Sequence, residues 1–195
     1  MITLPAAPAP NGIELALKDF GSILRPPSGA AVQRLNRKGS RWRASVSMPP
    51  MTPAEARVFV SRLARAKFEG VRIPLPLLVS QGAPGAPVVN GAGQAGSTIN
   101  LRGMTNGYVA AEGYWLSIVN AAGQHFLHCV TASVTVAGGV AAVGIVPELR
   151  TPFADGAAVQ LVAPQIEGFV EGEEWSWAIP LDRLVRLEFP LEEAA

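Results

Sequence analysis

Several groups of residues have the types and spacing that chemistry uses. Gly91-Ala92-Gly93-Gln94-Ala95-Gly96 matches the G-x-G-x-x-G pattern of dinucleotide-binding loops. That pattern works when a helix follows, so that its N-terminus faces a pyrophosphate. Here Thr98-Ile99-Asn100-Leu101 follows, then Gly103 and Gly107, so no helix starts there and a loop is expected. His125, His128 and Cys129 point toward a metal. On a strand, His125 and Cys129 share a face and His128 faces the other way. Two soft ligands then converge where a structural zinc site takes four, and the sequence holds no second Cys/His cluster. The expected role is a buried strand whose thiol is a small hydrophobe. A Ser-His-Asp or Cys-His-Asp relay would use His125 or His128 with Asp19, Asp155 or Asp182, but no nucleophile elbow accompanies them. Glu171, Glu173 and Glu174 could supply paired carboxylates for glycoside hydrolysis. They sit in one turn, Glu171-Gly172-Glu173-Glu174, which reads as a solvated turn or a subunit contact. No catalytic, cofactor or metal residue is assigned.

The basic residues carry more weight. Arg34, Arg37, Lys38, Arg41 and Arg43 are followed by Arg57, Arg62, Arg65 and Lys67. Such a patch could neutralise phosphates. It holds one aromatic, Trp42, which alternation puts on the apolar side, so no base-stacking platform is evident. Charge is asymmetric along the chain. Residues 1–79 hold twelve Lys/Arg against four Asp/Glu, and residues 164–195 hold two against eight. The two ends could attract within one fold or head to tail between identical subunits, or be two independently solvated faces. Against nucleic-acid binding, pairing of the patch with the acidic Glu167–Glu193 segment of a neighbour is preferred.

The elements that would position these residues are mostly strands. Residues 1–11, rich in Ala and Pro, read as an extended arm. Across 12–24, Ile13, Leu15 and Leu17 alternate with Glu14, Ala16 and Lys18, and Trp42, Ala44, Val46 and Met48 alternate with Arg and Ser, both with strand period; between them 25–29 reads as a loop, 31–35 as a further strand and 36–39 as a turn. The one helix starts at the N-cap Thr52, with Pro53 first and Glu55 closing a capping box. Its apolar stripe is Ala56, Phe59, Val60, Leu63 and Ala64, and Gly70 ends it. Val71–Pro76 reads as an edge strand because of its prolines. From Ser80 to about Pro164 the chain is nearly uncharged and rich in Gly, Ala and Val. Strands are expected at 98–102, 115–119, 125–136, 140–146 and 158–161, with Gly138-Gly139 as a hairpin turn. This is the signature of a small β-barrel or sandwich inserted in the rest. Trp175, Trp177 and Ile179 share one face, Leu184–Phe189 reads as a closing strand, and Glu192-Glu193 as a short acidic tail.

At 49% hydrophobic and 16% charged residues, the 195-residue chain can bury a substantial core and is not a disordered one. The single cysteine, Cys129, excludes an intramolecular disulfide framework. No basic region followed by an apolar core opens the chain, and no uncharged apolar run reaches the roughly 18 residues of a membrane helix. Cytoplasm-like conditions are expected.

The opening Met1-Ile2-Thr3-Leu4-Pro5 with Pro8-Ala9-Pro10, the strands ending in Trp42, and Met48-Pro49-Pro50-Met51 before the capped helix form one set of motifs. Gly70-Val71-Arg72-Ile73-Pro74, Trp175-Ser176-Trp177 and Leu187-Glu188-Phe189-Pro190-Leu191 complete it. Together they resemble the minor tail proteins of siphophage and prophage tail clusters, of the distal tail type. Val88–Thr98, Val109–Ile118, Val130-Thr131-Ala132, Gly138-Gly139 and Ile145–Arg150 resemble a β-barrel insertion of phage virion proteins. Where that segment usually carries Gly-Asp, this chain has Glu112-Gly113.

The resemblance implies a mainly β (α+β), tail-tube-like β-sandwich or split barrel with one flanking helix at about 52–68. Residues 1–79 and 165–195 would form it, with 80–164 as the inserted barrel. It implies a structural virion protein, not an enzyme, assembled in the host cytoplasm. Copies would form a hexameric ring joining the tail tube protein to the hub and tip proteins. Genome DNA would pass through the lumen without specific binding, with no membrane insertion and no cofactor. The expected subunit contacts are Arg37, Lys38, Arg41, Arg43, Arg57, Arg65, Glu171, Glu173, Glu174, Trp175 and Trp177. The alternatives are a nucleic-acid-binding module using the basic patch, or a tail-associated hydrolase.

Overall fold

The Thr52-Pro53-Ala54-Glu55 start folds as its chemistry requires. The Glu55 N–H donates to the Thr52 hydroxyl, and the Thr52 N–H donates to the Glu55 carboxylate at 2.9 Å. These satisfy donors that a helix start otherwise leaves open. The chain is seen here in a computed structural model that describes residues 1–173, 176–178 and 184–194. In chain order its first elements are β1 (Ile2–Thr3), β2 (Gly12–Lys18), β3 (Ser22–Leu24), β4 (Gln33–Leu35), β5 (Arg41–Ser47), α1 (Pro53–Glu69) and β6 (Val71–Pro74). Then come β7 (Gly85–Val89), β8 (Gly96–Met104), β9 (Val109–Ala110), β10 (Trp115–Val119) and β11 (His125–Val130). The last are β12 (Val134–Thr135), β13 (Val140–Leu149), β14 (Val159–Gln160), β15 (Gln165–Val170) and β16 (Glu188–Glu193). The fold is mainly β with one helix among the described residues.

The first sheet has strand order β1-β6-β15-β16-β5-β2. Its inner face carries Ala44, Val46, Ile73, Ile166, Phe189 and Leu191, all buried against Ala56, Phe59, Leu63 and Ala66 of the helix. Those four helix positions lie on one face of a 3.6-residue period. Ala64, expected in the stripe, is exposed, and Ala66 takes that place. The second sheet, β14-β10-β11-β13-β8-β7, draws all its strands from residues 85–160. Its ends nearly meet. Val88 bridges Ala158, Val89 N–H donates to Ala157 O at 2.9 Å, and Gly156 N–H donates to Val89 O at 2.9 Å. This nearly closed barrel has its own core, which includes Ile99, Leu101, Leu116, Ile118, Val143 and Ile145. Gly138 and Gly139 turn β13 back with φ of 59° and 78°, a conformation open to glycine at little cost.

Three sequence expectations change. Val71–Pro74 is not an edge strand: Ile2 and Thr3 pair with Val71 and Arg72 in parallel, while β15 pairs on the other side. Pro74 falls past the end of β1, so its missing N–H costs nothing there. For the same reason the N-terminal arm is not free at its start, and Arg62 further holds it by donating to Thr3 O at 2.6 Å. Finally, the closing strand runs Glu188–Glu193, later than the expected 184–189, and Glu193 is 1% exposed. It is the inward end of that strand and not a solvated tail.

Candidate assembly surfaces

The register of the first sheet marries the basic and acidic ends of the chain. Glu192 sits opposite Arg43 on β5, and Ala16 on β2 sits opposite the same Arg43. On this outer face Lys18 reaches Glu192 at 2.6 Å, Arg41 reaches Glu192 at 3.8 Å, and Arg43 reaches Glu171 at 2.6 Å. Arg72 meets Glu167 at 2.7 Å. Arg41, Arg43 and Glu171 therefore use their charge inside the chain. Each exposed pair contributes at most about 1 kcal/mol.

The other expected contact residues are scattered. Arg65 pairs with Glu69 one turn on. Arg37, Lys38 and Arg57 are exposed, with no ion pair among the described residues. Lys67 donates to the Glu173 carbonyl, and Trp177 is exposed. Glu174 and Trp175 lie outside the described residues, as do Ile179 and Asp182.

The expected strand to Leu24, loop at 25–29, strand at 31–35 and turn at 36–39 form a hairpin, and what the sequence did not show is its exposure. β2 and β5 pair from Gly12↔Ser47 to Lys18↔Arg41, and beyond that end the ribbon continues as β3 and β4, paired Ser22↔Leu35 to Leu24↔Gln33. Every residue of these two strands is exposed. Ile23, Leu24, Val32 and Leu35 are 46–62% exposed. Asp19 holds the root together: its carboxylate accepts from Gly21 N–H at 2.8 Å and from Arg34, interactions that lower its pKa. A two-stranded ribbon alone is marginal in water, and clustered exposed apolar side chains mark an interaction surface.

At the opposite end of β2 lies a groove of 540 Å³. Ile13 and Leu15 wall one side, Leu75 and Leu77 another, and Trp115 of the barrel closes it. Leu78 and Val79 beside it are 101% and 68% exposed. The outer edge of β2 has no strand partner among the described residues.

No protein-family model matches this chain, and no curated protein matches it.

The barrel and the first sheet are joined by buried polar contacts. The Glu193 carboxylate enters the barrel wall, where Leu127 N–H donates to it at 2.6 Å. Trp42 N–H donates at 3.2 Å, and Arg150 lies 2.8 Å away with its side chain 4% exposed. Burial pushes the Glu193 carboxyl above its ordinary value; Arg150 and the two amides pull it back. Burial likewise lowers Arg150, whose guanidinium also stacks 5.1 Å from the Phe126 ring centroid. Gln81 pins the linker into the barrel: its amide donates to Trp115 O at 2.8 Å and to Leu161 O, and accepts from Trp115 N–H at 2.6 Å. Trp42 and Trp115 meet edge to face at 4.9 Å.

Several of the chemical candidates sit in structural contacts. His125 and Cys129 lie on the face of β11 opposite Phe126, His128 and Val130, as alternation requires. No cluster of three metal-ligating side chains occurs among the described residues. Strand β8 follows the glycine-rich loop, whose Gln94 amide donates to Asn90 O at 2.9 Å and Gly91 O at 3.0 Å. Ser117 Oγ and His125 Nδ1 are 3.4 Å apart, the opening of a hydrolytic relay. Yet Ser117 is fully buried and accepts the Gln165 N–H at 3.1 Å, so no substrate reaches it in this conformation. No described helix is long and apolar enough to cross a membrane.

His128 is also sealed. Its Nδ1 donates to Pro147 O at 2.8 Å, and burial lowers its pKa to about 4. The folded state keeps this imidazole neutral while the unfolded chain protonates near 6.5. Its stabilisation is thus complete above about pH 6.5 and is lost as pH falls toward 4, by about 3 kcal/mol in all. His125, lowered to about 4 by burial and Arg72, acts in the same direction. Urea midpoints measured from pH 7.5 to 4 should fall steeply across this window, and His128→Gln should flatten the slope.

Proposed function

We propose that this protein is a structural component of a bacteriophage tail that closes into a ring between the tail tube and the tip. The observation that carries the reading is the exposed β3–β4 hairpin, an apolar and basic extension that no described residue of its own chain covers. Such a surface suits a neighbouring subunit. The open β2 edge offers a second contact by strand addition, and the barrel stands on the sheet as a separate module that can face outward. The resemblance to distal tail proteins supplies the ring, its hexameric closure and the virion location.

The test replaces residues 20–39 by an Asn-Gly turn, which a two-residue hairpin accepts. The shortened chain should keep its secondary structure and melt within a few degrees of wild type, because no core side chain is removed. It should stay monomeric where wild type associates, as read by light scattering. The basic hairpin also favours a second reading, nucleic-acid binding. Steeply salt-dependent DNA binding by the monomer, lost with the hairpin, would support that reading instead.

A further inference from the structure

We infer that the open β2 edges of two copies pair antiparallel about a two-fold axis at Ala16, a contact that gives the strand addition of the ring reading its partner strand. Sheet edges are ordinarily blunted by prolines, bulges, shortness or a cover. β1, at the other edge of the same sheet, is two residues long and is followed by Leu4-Pro5. The end strands of the barrel bridge each other through Val88 and Ala158. β2 has none of these devices. Its seven residues include no proline, they pair with β5 in unbroken register from Gly12↔Ser47 to Lys18↔Arg41, and no described strand lies on the outer side.

The strand is complementary to itself in one register. Glu14, Ala16 and Lys18 are exposed on one face, and Ile13, Leu15 and Leu17 alternate on the other. Glu14 makes no ion pair among the described residues. Lys18 gives one of its three ammonium donors to Glu192, and its side chain is 43% exposed. Antiparallel pairing centred on Ala16 sets Glu14 of each copy opposite Lys18 of the other, so an ion pair flanks the axis on each side. On the other face it sets Leu17, 42% exposed, opposite Leu15 of the second copy. Opposite charges and apolar pairs directly across a ladder stabilise it, and like charges do the reverse. Centring on Leu15 sets Glu14 opposite Ala16 and forfeits both ion pairs. Parallel in-register pairing sets Glu14 against Glu14 and Lys18 against Lys18. The charges therefore select a second copy in one orientation. A two-fold contact does not repeat around a cyclic ring, so in the ring reading it joins one ring to another face to face. One strand from each copy is a small contact, and free chains meet through it only briefly until several copies act together.

Disulfide trapping tests the register and needs no ring. Opposed Cα atoms of an antiparallel pair lie about 4.5–5.5 Å apart, within disulfide reach. The full chain with A16C in a C129S background should oxidise to a covalent dimer roughly ten-fold or more faster than one with S61C, an exposed position on the helix. E14K or K18E added to A16C should each slow trapping roughly ten-fold, because like charges then face each other on both sides of the axis. E14K and K18E together should restore nearly the A16C rate, since the swapped strand is again complementary to itself. K18E also loses the Glu192 contact, but that loss persists in the double variant and cannot produce the restoration. A16C trapped no faster than S61C, or a double variant as slow as the single ones, would overturn the two-fold pairing and leave the ring through the hairpin standing. Trapping in the expected order from a chain that never forms rings would keep this contact and remove the ring reading.

Discussion

Glu193→Ala should lower the unfolding free energy by about 3–5 kcal/mol, the usual loss when one partner of a buried ion pair is removed. The carboxylate takes the Leu127 and Trp42 amides and faces the Arg150 guanidinium, with both side chains almost fully buried. Ala leaves that cation unmatched and both amides without this acceptor. Glu193→Gln keeps an amide oxygen for Leu127 but not the charge, so it should fall between wild type and Ala. Replacing both partners, Glu193→Leu with Arg150→Met, should cost less than Glu193→Ala alone, because no buried charge is stranded. Urea unfolding of the four chains measures this. A change under about 0.5 kcal/mol for Glu193→Ala, the range of ordinary surface substitutions, would mean that the clasp holds nothing.

Gly168→Ala is expected to cost about 3 kcal/mol, the upper end of overpacking penalties. Gly168 lies opposite Glu193 in the β15–β16 pair, and a Cβ there would collide with the Glu192 carbonyl and lie 2.8 Å from the Glu193 Cα. Relief requires β16 to move, which withdraws the carboxylate from Leu127. The melting temperature should drop by roughly 6–12 °C for a chain of this size. Hydrogen exchange at the Leu127 amide should accelerate. Because both changes act on one contact, Gly168→Ala should cost less in a Glu193→Ala background than alone. Full additivity would show that the glycine matters for another reason.

Much of the scaffold was legible from the sequence. The Thr52-Pro53-Glu55 start, the alternation of Trp42, Ala44, Val46 and Met48, and the Gly138-Gly139 turn each rest on local chemistry, and each is found in the fold. The clasp was not legible. Glu193 continues the inward alternation of Phe189 and Leu191, but Pro190 interrupts the run and a terminal Glu-Glu pair reads as solvated. Extending the period of two past the proline would have placed Glu193 inside. Arg150 is one charge in an apolar stretch just past β13, and its partner lies 43 residues on, in the first sheet. The opposite charges at the two chain ends were visible as a total. Their pairing depends on the Glu192↔Arg43 register, which only the folded sheet supplies. The hairpin's exposure hid for a similar reason: its strands were legible, but Ile23, Leu24, Val32 and Leu35 look like core residues until the fold leaves them uncovered among the described residues.

In the proposed ring, copies assemble through that hairpin. Electron microscopy of the full chain, with mass by light scattering across a concentration series, tests it most directly. Closed rings of about six copies are expected, the closure that cyclic symmetry and the tail-protein resemblance imply, and none from the chain lacking residues 20–39. Monomers at every concentration, with or without tail tubes, would contradict it, as would rings that form equally well without the hairpin.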